Sequence, residues 1–241
     1  MLTLSLKPQV EAMAYPPSFV RFSVTTAGYR EVFTKYPFFL YTWNSLVVAA
    51  GSTALGLAVG LPAAYSIARW RQQRLAVVIL VARIIPGIAY LIPWYIFFRR
   101  LRMVDTYGAL ILTHLIVSLP IIIWVMISFF EDVPSELEDA ALIDGCSYLG
   151  VFGRIALPLL RPTLVVAILF RSIDALKTFD IIFIMTQGGP ANASETINIL
   201  LFNQAFSYFN MGYASSMAVA LFAVVMGVSL ILIKMRRTAA W

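Results

Sequence analysis

Residues 36–68 read YPFFLYTWNSLVVAAGSTALGLAVGLPAAYSIA and contain no Asp, Glu, Lys, Arg or His. A helix that crosses the hydrocarbon core of a bilayer needs about 20 consecutive, mainly apolar residues. This run exceeds that length, and the whole chain agrees with it, because 61% of its residues are hydrophobic and 12% are charged. An ordinary soluble domain has about 45–50% apolar and about 25% charged residues. The sequence therefore predicts a membrane protein.

The same length rule predicts four further spans. They cover roughly residues 75–98, 107–130, 163–185 and 213–233. We expect every span to be helical, because a helix satisfies its own backbone hydrogen bonds in lipid. The predicted fold class is an all-α polytopic membrane protein, with an outer N-terminal segment at 1–42 and a transmembrane domain at 43–237.

The basic residues predict the orientation of the spans. The formal net charge is +6, but the charges cluster at span ends, which argues against nucleic acid as a partner. Loops rich in Lys and Arg face the cytoplasm, so 69–74, 131–162 and 234–241 are predicted to be cytoplasmic. The outer segments are then 1–42, 99–106 and 186–212. The predicted outer loop 99–106 conflicts with this scheme, because it contains Arg99, Arg100 and Arg102. We keep the scheme because the other loops agree with it.

The cytoplasmic stretch EDAALIDGCSYLGVFGRIALP, residues 138–158, is predicted to form two short helices around a turn. Ser135 and Glu138 have the spacing of a capping box, and Gly145 lies where a helix ends in a left-handed residue. Ser147 is suited to cap the second helix, and Pro158 is expected to prevent its simple continuation. The apolar stripe of that helix is predicted to comprise Tyr148, Val151, Phe152 and Ile155.

Two interpretations of this helix pair differ in what covers it. One is an interfacial pair that lies on the inner leaflet. Anionic lipids would repel the four acids of this helix pair, which are Glu136, Glu138, Asp139 and Asp144. A protein groove that receives an amphipathic helix fits these acids better.

The spacing of this stretch resembles the EAA loop of ABC importer permeases. Asp139-Ala140-Ala141 is followed after three residues by Gly145, and after nine more by Ile155-Ala156-Leu157-Pro158. Asp139 replaces the usual Glu of that motif. The resemblance implies a coupling helix, within the loop 131–162, that docks in a groove of a cytoplasmic ATP-binding subunit. The coupling residues that it implies are Glu138, Asp139, Ala140, Ala141, Asp144, Gly145, Ile155 and Pro158.

Other motifs are similar to the carbohydrate-uptake permeases of the maltose type. They are Asn44-Ser45-Leu46, Pro62-Ala63-Ala64-Tyr65 with Ala68-Arg69, Asp105-Thr106-Tyr107, Phe179-Asp180, Thr186-Gln187-Gly188-Gly189-Pro190 and Gly212-Tyr213-Ala214-Ser215. The implied fold is the type I ABC importer transmembrane domain, MetI-like. Members usually have six spans, and the first ends in a sequence like Leu4-Ser5-Leu6-Lys7-Pro8. Either residues 1–6 are the stump of a missing first helix, or the protein functions with five spans, and we expect the first of these.

This resemblance implies a multi-pass permease subunit of an ATP-driven importer in the bacterial inner membrane. Its solute would be a sugar or a sugar-like molecule. The implied partners are two ATP-binding subunits, a second and different permease subunit, and an extracytoplasmic solute-binding protein. The chain itself has no phosphate-binding loop motif, so it is not expected to be an enzyme or to carry a cofactor, and ATP would bind to the partner. The single Cys146 suggests no metal or redox site.

Charged residues inside the fourth predicted span form a candidate translocation path. Arg171, Asp174 and Lys177 recur at i, i+3 and i+6, and intramembrane charges normally face a bundle interior or a water-filled path. A polar track for sugar hydroxyls and a charge cluster that only holds the bundle together remain equally open. His114 and Arg83 are expected to be structural, and Asn44 is expected to shape its helix.

Two other classes of protein remain as alternatives. A secondary transporter driven by an ion gradient would use a midplane acid such as Asp174, with discontinuous helices and internal repeats. No convincing repeat is visible in the sequence. An intramembrane enzyme ranks last, because the spans contain no nucleophile and base in a recognisable pattern.

Overall fold

The computed structural model describes residues 1–18, 22–35, 37–82, 84–185 and 195–239. Within these ranges all regular secondary structure is helical, as the predicted all-α fold requires. The α-helices are α1 (Leu2–Ser5), α2 (Gln9–Ala12), α3 (Ala27–Thr34), α4 (Phe38–Arg69), α5 (Gln73–Ala82), α6 (Gly87–Arg100), α7 (Tyr107–Glu131), α8 (Ser135–Ile143), α9 (Tyr148–Val151), α10 (Leu157–Leu159), α11 (Arg161–Lys177), α12 (Asp180–Met185), α13 (Ile197–Phe202) and α14 (Met211–Ala239). Two π-helical segments occupy Phe152–Ala156 and Asn203–Ser207.

Three helices in the described part of the chain are long and apolar enough to cross a bilayer. They are Phe38–Arg69, Tyr107–Glu131 and Met211–Arg236. Each exceeds the length of about 20 residues that a bilayer core demands. These helices confirm the predicted spans at 36–68, 107–130 and 213–233.

The predicted single helix at 75–98 is wrong. α5 ends at Ala82 with 10 residues, and α6 begins at Gly87 with 14, so each is shorter than a full span. Pro86 lies directly before α6. A proline has no backbone N–H and disfavours helical geometry in the residue before it, here Ile85, which explains the break.

The predicted single helix at 163–185 is also wrong. α11 ends at Lys177, and a separate short helix, α12, begins at Asp180. At its other end, α11 follows the helical stretch Tyr148–Leu159 after a bend of 76°. If this bent pair is one broken span, the described residues contain up to four spans rather than the five expected.

The chain folds into two compact units. The first unit contains residues 1–48, 95–110 and 176–228, and the second contains 49–94, 111–175 and 229–241. The expected division between the segment 1–42 and the domain 43–237 stays a prediction.

Glycines let α4 and α7 approach closely in the second unit. A Cβ at Gly51 would lie 2.7 Å from the Cδ1 of Ile111, and a Cβ at Gly60 would lie 2.7 Å from the Cγ2 of Ile122. Small residues at such contacts are typical of helix packing in membranes, because van der Waals contact replaces the hydrophobic driving force there. The buried core of this unit continues through Met126 and Phe130.

The N-terminal segment is anchored to the start of α14 in the first unit. The hydroxyl of Ser216 donates to the carbonyl of Ser5 at 3.1 Å, and the backbone N–H of Gly212 donates to the Gln9 side chain at 3.0 Å. A Cβ at Gly212 would lie 3.2 Å from the carbonyl oxygen of Lys7, so glycine permits this close contact.

Candidate functional site

The candidate coupling segment begins with α8, whose N-terminus differs from the prediction. Pro134 is the N-cap residue, and no side chain caps the helix. The predicted capping box of Ser135 and Glu138 is therefore wrong. Ser135 is already the first helical residue, and Glu138 turns away from the helix start to other partners.

The C-terminus of α8 confirms the predicted turn at Gly145. Gly145 has a φ of +86°, in the left-handed region that favours glycine. Its N–H donates to the carbonyl of Leu142 at 3.0 Å, and the N–H of Cys146 donates to the carbonyl of Ala141 at 2.9 Å. These two bonds form a Schellman motif, which fixes where the helix ends and where the chain turns.

The second short helix begins as predicted and is followed by a helical segment of a different kind before Pro158. The Ser147 hydroxyl accepts a hydrogen bond from the N–H of Gly150 at 3.2 Å, which confirms it as the cap of α9. The chain then passes through the π-helical segment Phe152–Ala156 into α10, which contains Pro158. The helix therefore does not continue simply through Pro158, as predicted. The wider π-helical turn lies where a proline would otherwise clash with the fourth residue before it.

The eight predicted coupling residues differ in their exposure. Asp139, Ala140, Asp144 and Gly145 are exposed, whereas Glu138 is buried. The other three, Ala141, Ile155 and Pro158, are half-buried. The structure therefore leaves one face of α8 and its C-terminal turn exposed, and directs Glu138 into the protein.

Glu138 is held by two residues of α4. Its Oε2 accepts a hydrogen bond from the Tyr65 hydroxyl at 2.7 Å and another from the Arg69 Nε at 2.8 Å. The Nη2 of Arg69 donates to Oε1 of the same carboxylate at 2.5 Å. The bidentate pairing of a guanidinium with a carboxylate is a strong, directional interaction. Sequence reasoning noted Tyr65 and Arg69 only as parts of a family motif and assigned them no contact.

Exposed apolar side chains accompany the exposed acids of the coupling segment. Ile143 is 86% exposed and Leu149 is 83% exposed, and Tyr148 is also exposed. The residues of the predicted apolar stripe therefore differ in exposure, because Val151 is fully buried whereas Tyr148 is exposed. Such apolar groups beside carboxylates are suited to a protein groove that has both apolar and basic parts.

The three charged residues of the candidate translocation path differ in their burial and in their partners. Arg171 is buried, and its Nη1 pairs with the Asp174 carboxylate at 2.8 Å. Its Nη2 lies 3.3 Å from the Ser52 hydroxyl and 3.3 Å from Nδ1 of His114. Because an arginine only donates, His114 Nδ1 accepts and its hydrogen is on Nε2. Arg171 thereby joins α4, α7 and α11, and His114 has the structural contact that was predicted for it.

Asp174 and Lys177 lie on the exposed side of α11. The Asp174 side chain is 75% exposed, and Lys177 is exposed as well. A charged side chain at this depth faces protein or water rather than lipid. The structure brings Arg171 and Asp174 together and leaves Lys177 on the exposed surface.

A polar cluster in the first unit was missed by sequence reasoning. The Asn44 amide donates to the carbonyl of Glu195 at 2.9 Å, and its oxygen accepts from the Tyr107 hydroxyl at 2.7 Å. Asn44 is fully buried and joins α4, α7 and Glu195, which lies two residues before α13. Burial raises the pKa of the Glu195 carboxyl, against a hydrogen bond with Tyr41 that lowers it.

Two other predicted features lie outside the described residues. They are Arg83 and the first part of the predicted outer segment 186–212, residues 186–194.

Comparison with known proteins identifies the family. The model of the family described as "Binding-protein-dependent transport system inner membrane component" matches residues 56–236. The chain belongs to this family. As a member, it is an inner-membrane transport component with several membrane-spanning helices.

Two curated relatives are permease proteins by name. The family member described here is 39% identical over 188 residues to a probable ABC transporter permease of Sinorhizobium fredii, y4oR, across 77% of this chain and 68% of the relative. It is 31% identical over 212 residues to the sulfoquinovosyl glycerol transport system permease SmoH of Agrobacterium fabrum, across 86% of this chain and 74% of the relative.

A solved structure shows the same fold. It is a bacterial ABC transporter involved in the import of the acidic polysaccharide alginate, with a TM-score of 0.79. The match covers 97% of this chain and 87% of the other, at 16% sequence identity. The predicted fold class, a type I ABC importer transmembrane domain, is confirmed.

Proposed function

We propose that this chain is the membrane-spanning permease subunit of an ATP-driven ABC importer, and that α8 is its coupling helix. The observation that carries the proposal is the form of α8. Its C-terminus is fixed by the Schellman motif at Gly145, Glu138 secures its inner face, and Asp139, Ala140 and Asp144 are exposed. The family and the two relatives named as permeases support the same function.

The proposal includes a defined set of partners. Two cytoplasmic ATP-binding subunits would receive the coupling helices, a second and different permease subunit would complete the path, and an extracytoplasmic binding protein would deliver the solute. The family's own description, binding-protein-dependent transport, supports the last of these. ATP binds to the partner, and this chain needs no cofactor of its own.

The proposed solute is a sugar or a sugar-like molecule. One relative is named for sulfoquinovosyl glycerol transport, which supports a carbohydrate class. Sugar hydroxyls both donate and accept hydrogen bonds, so the path requires side chains of both kinds. The exposed Asp174 supplies an acceptor and the exposed Lys177 supplies a donor, whereas Arg171 positions Asp174 from inside the protein.

Site-specific crosslinking in native membranes tests the docking proposal. In a Cys146→Ser background, a single cysteine at the exposed Ala140 would carry a photoreactive benzophenone. We expect it to label an ATP-binding subunit. The matched control is a cysteine at Ala156, which is fully buried and should give no such product. Labelling of lipid alone from residue 140 would contradict the proposal and favour an ion-driven transporter.

A further inference from the structure

The contact between α4 and α8 is built from three hydrogen bonds on one carboxylate. Tyr65 and Arg69 lie one helical turn apart on α4, and both donate to Glu138. Arg69 also donates from Nη2 to the carbonyl of Val133 at 3.2 Å, in the link between α7 and α8. The last turn of α4 therefore holds both α8 and the backbone that leads into it.

This contact is largely shielded from water. The Arg69 side chain is 18% exposed, and the Glu138 side chain is 6% exposed. The Tyr65 ring packs on Phe130 of α7, with ring centroids 5.4 Å apart, and on Phe152 at 5.1 Å. Low local polarity strengthens each hydrogen bond and makes an unpaired charge costly. A displacement of α8 that leaves the pair intact must therefore move the end of α4.

We infer that Tyr65, Arg69 and Glu138 form a joint that transfers displacement of the coupling helix α8 to the membrane-spanning helix α4. The inference rests on the proposed function, because the displacement comes from the ATP-binding subunit. It assigns positioning roles to these three residues. They differ from the docking residues Asp139 and Ala140, which face outward from the same helix.

A conservative substitution separates a joint from a merely structural contact. Glu138→Gln keeps the size of the side chain and one acceptor oxygen for Tyr65, and it removes the charge and one of the two acceptor oxygens that bind Arg69. Glu136→Gln is the matched control, since Glu136 lies exposed in the first turn of the same helix. The reciprocal exchange Arg69→Glu with Glu138→Arg restores an ion pair in reverse.

The experiment uses the full complex, purified through this chain in lipid nanodiscs. Spin labels at Val59 on α4 and Ile121 on α7, both exposed, report the separation of these two helices in a Cys146→Ser background. The probe is Mg-ATP with vanadate. Co-purification of the ATP-binding subunit is measured in the same samples, so docking and transfer are read separately.

For the starting protein and Glu136→Gln we expect the nucleotide to shift the label distance. In Glu138→Gln the shift should be lost while the ATP-binding subunit still co-purifies, and the reciprocal exchange should recover it. A full shift in Glu138→Gln would overturn the joint. Loss of the subunit in Glu138→Gln would also overturn it, since the pair would then serve only to shape the docking surface. Absence of the subunit from the starting protein would instead overturn the proposed function.

Discussion

Glu138 and Asp139 are neighbours in sequence on α8, but only Glu138 is buried in the protein. Glu138 is 5% exposed and accepts hydrogen bonds from Tyr65 and Arg69, whereas Asp139 is exposed. Two adjacent acids of the candidate coupling segment therefore have different environments. One secures the helix to α4, and the other is available to a partner.

The first prediction concerns the stability of the protein alone. Glu138→Ala should lower the free energy of unfolding by about 3 kcal/mol, because it leaves the buried side of Arg69 without its partner. Asp139→Ala should change it by less than about 0.5 kcal/mol, as expected for an exposed site. Thermal unfolding in detergent measures both. Equal melting temperatures for the two variants would show that Glu138 does not secure α8.

The second prediction separates the two interpretations of the intramembrane charges. Arg171→Met should destabilise the protein by about 2–3 kcal/mol, because the hydrogen bonds of a charged group to Asp174, Ser52 and His114 are lost. Asp174→Asn should change stability much less, since its side chain is 75% exposed.

Solute uptake, unlike stability, should depend on the exposed Asp174. Asp174→Asn should lower uptake at unchanged protein level, measured in cells with a panel of radiolabelled sugars. If Asp174→Asn takes up solute normally but unfolds at a lower temperature, the charges only hold the bundle together. The polar-track interpretation would then be wrong.

The third prediction concerns Asn44, which is fully buried. Asn44→Leu should cost about 2–3 kcal/mol, because it leaves the Tyr107 hydroxyl and the Glu195 carbonyl without this partner. Tyr107→Phe should cost only about 1 kcal/mol, since it removes one hydrogen bond. Tyr208→Phe is the control, because Tyr208 is exposed. A larger effect for Tyr208→Phe than for Tyr107→Phe would contradict the assignment.

The fourth prediction is a pH dependence of stability from Glu195. Burial raises the pKa of its carboxyl above the ordinary 4.5, so the folded protein binds the proton more tightly than the unfolded chain. The stabilisation linked to this proton is fully present below 4.5 and is lost as pH rises through the folded pKa. The melting temperature should therefore be higher at pH about 5 than at pH about 8.

Glu195→Gln isolates that contribution. The amide does not titrate, so the variant should lose part of the difference in melting temperature between the two pH values. It should be more stable than the starting protein at the higher pH. An unchanged pH dependence in Glu195→Gln would exclude this carboxyl as its source.

Local sequence patterns predicted the features that depend on nearby residues. The uninterrupted apolar runs predicted the first and last residues of α4 and α7 to within two positions. Gly145 and Ser147 were correctly placed as a left-handed turn and a helix cap, because each acts on backbone groups within a few residues. These are the parts of the candidate site that were predictable.

Features set by distant contacts or by interrupted helices were not predictable. The capping box failed because Arg69, 69 positions away, and Tyr65 compete for Glu138. Hydropathy alone also predicted one helix in place of α5 and α6, and one in place of α11 and α12. The apolar run continues in each case although the helix is interrupted. The helical path through Pro158 required a π-helical turn, which hydropathy does not register.

Co-purification of an ATP-binding subunit from native membranes tests the central claim most directly. The informative pair is Gly145→Val and Gly145→Asn, because a Cβ at residue 145 meets no atom within 4 Å and only the φ of +86° opposes it. Asn tolerates this backbone conformation and Val does not, with a difference of about 1–2 kcal/mol. We predict that the subunit is recovered with the starting protein and with Gly145→Asn, and lost with Gly145→Val. Recovery of no ATP-binding subunit with any of the three proteins would contradict the account.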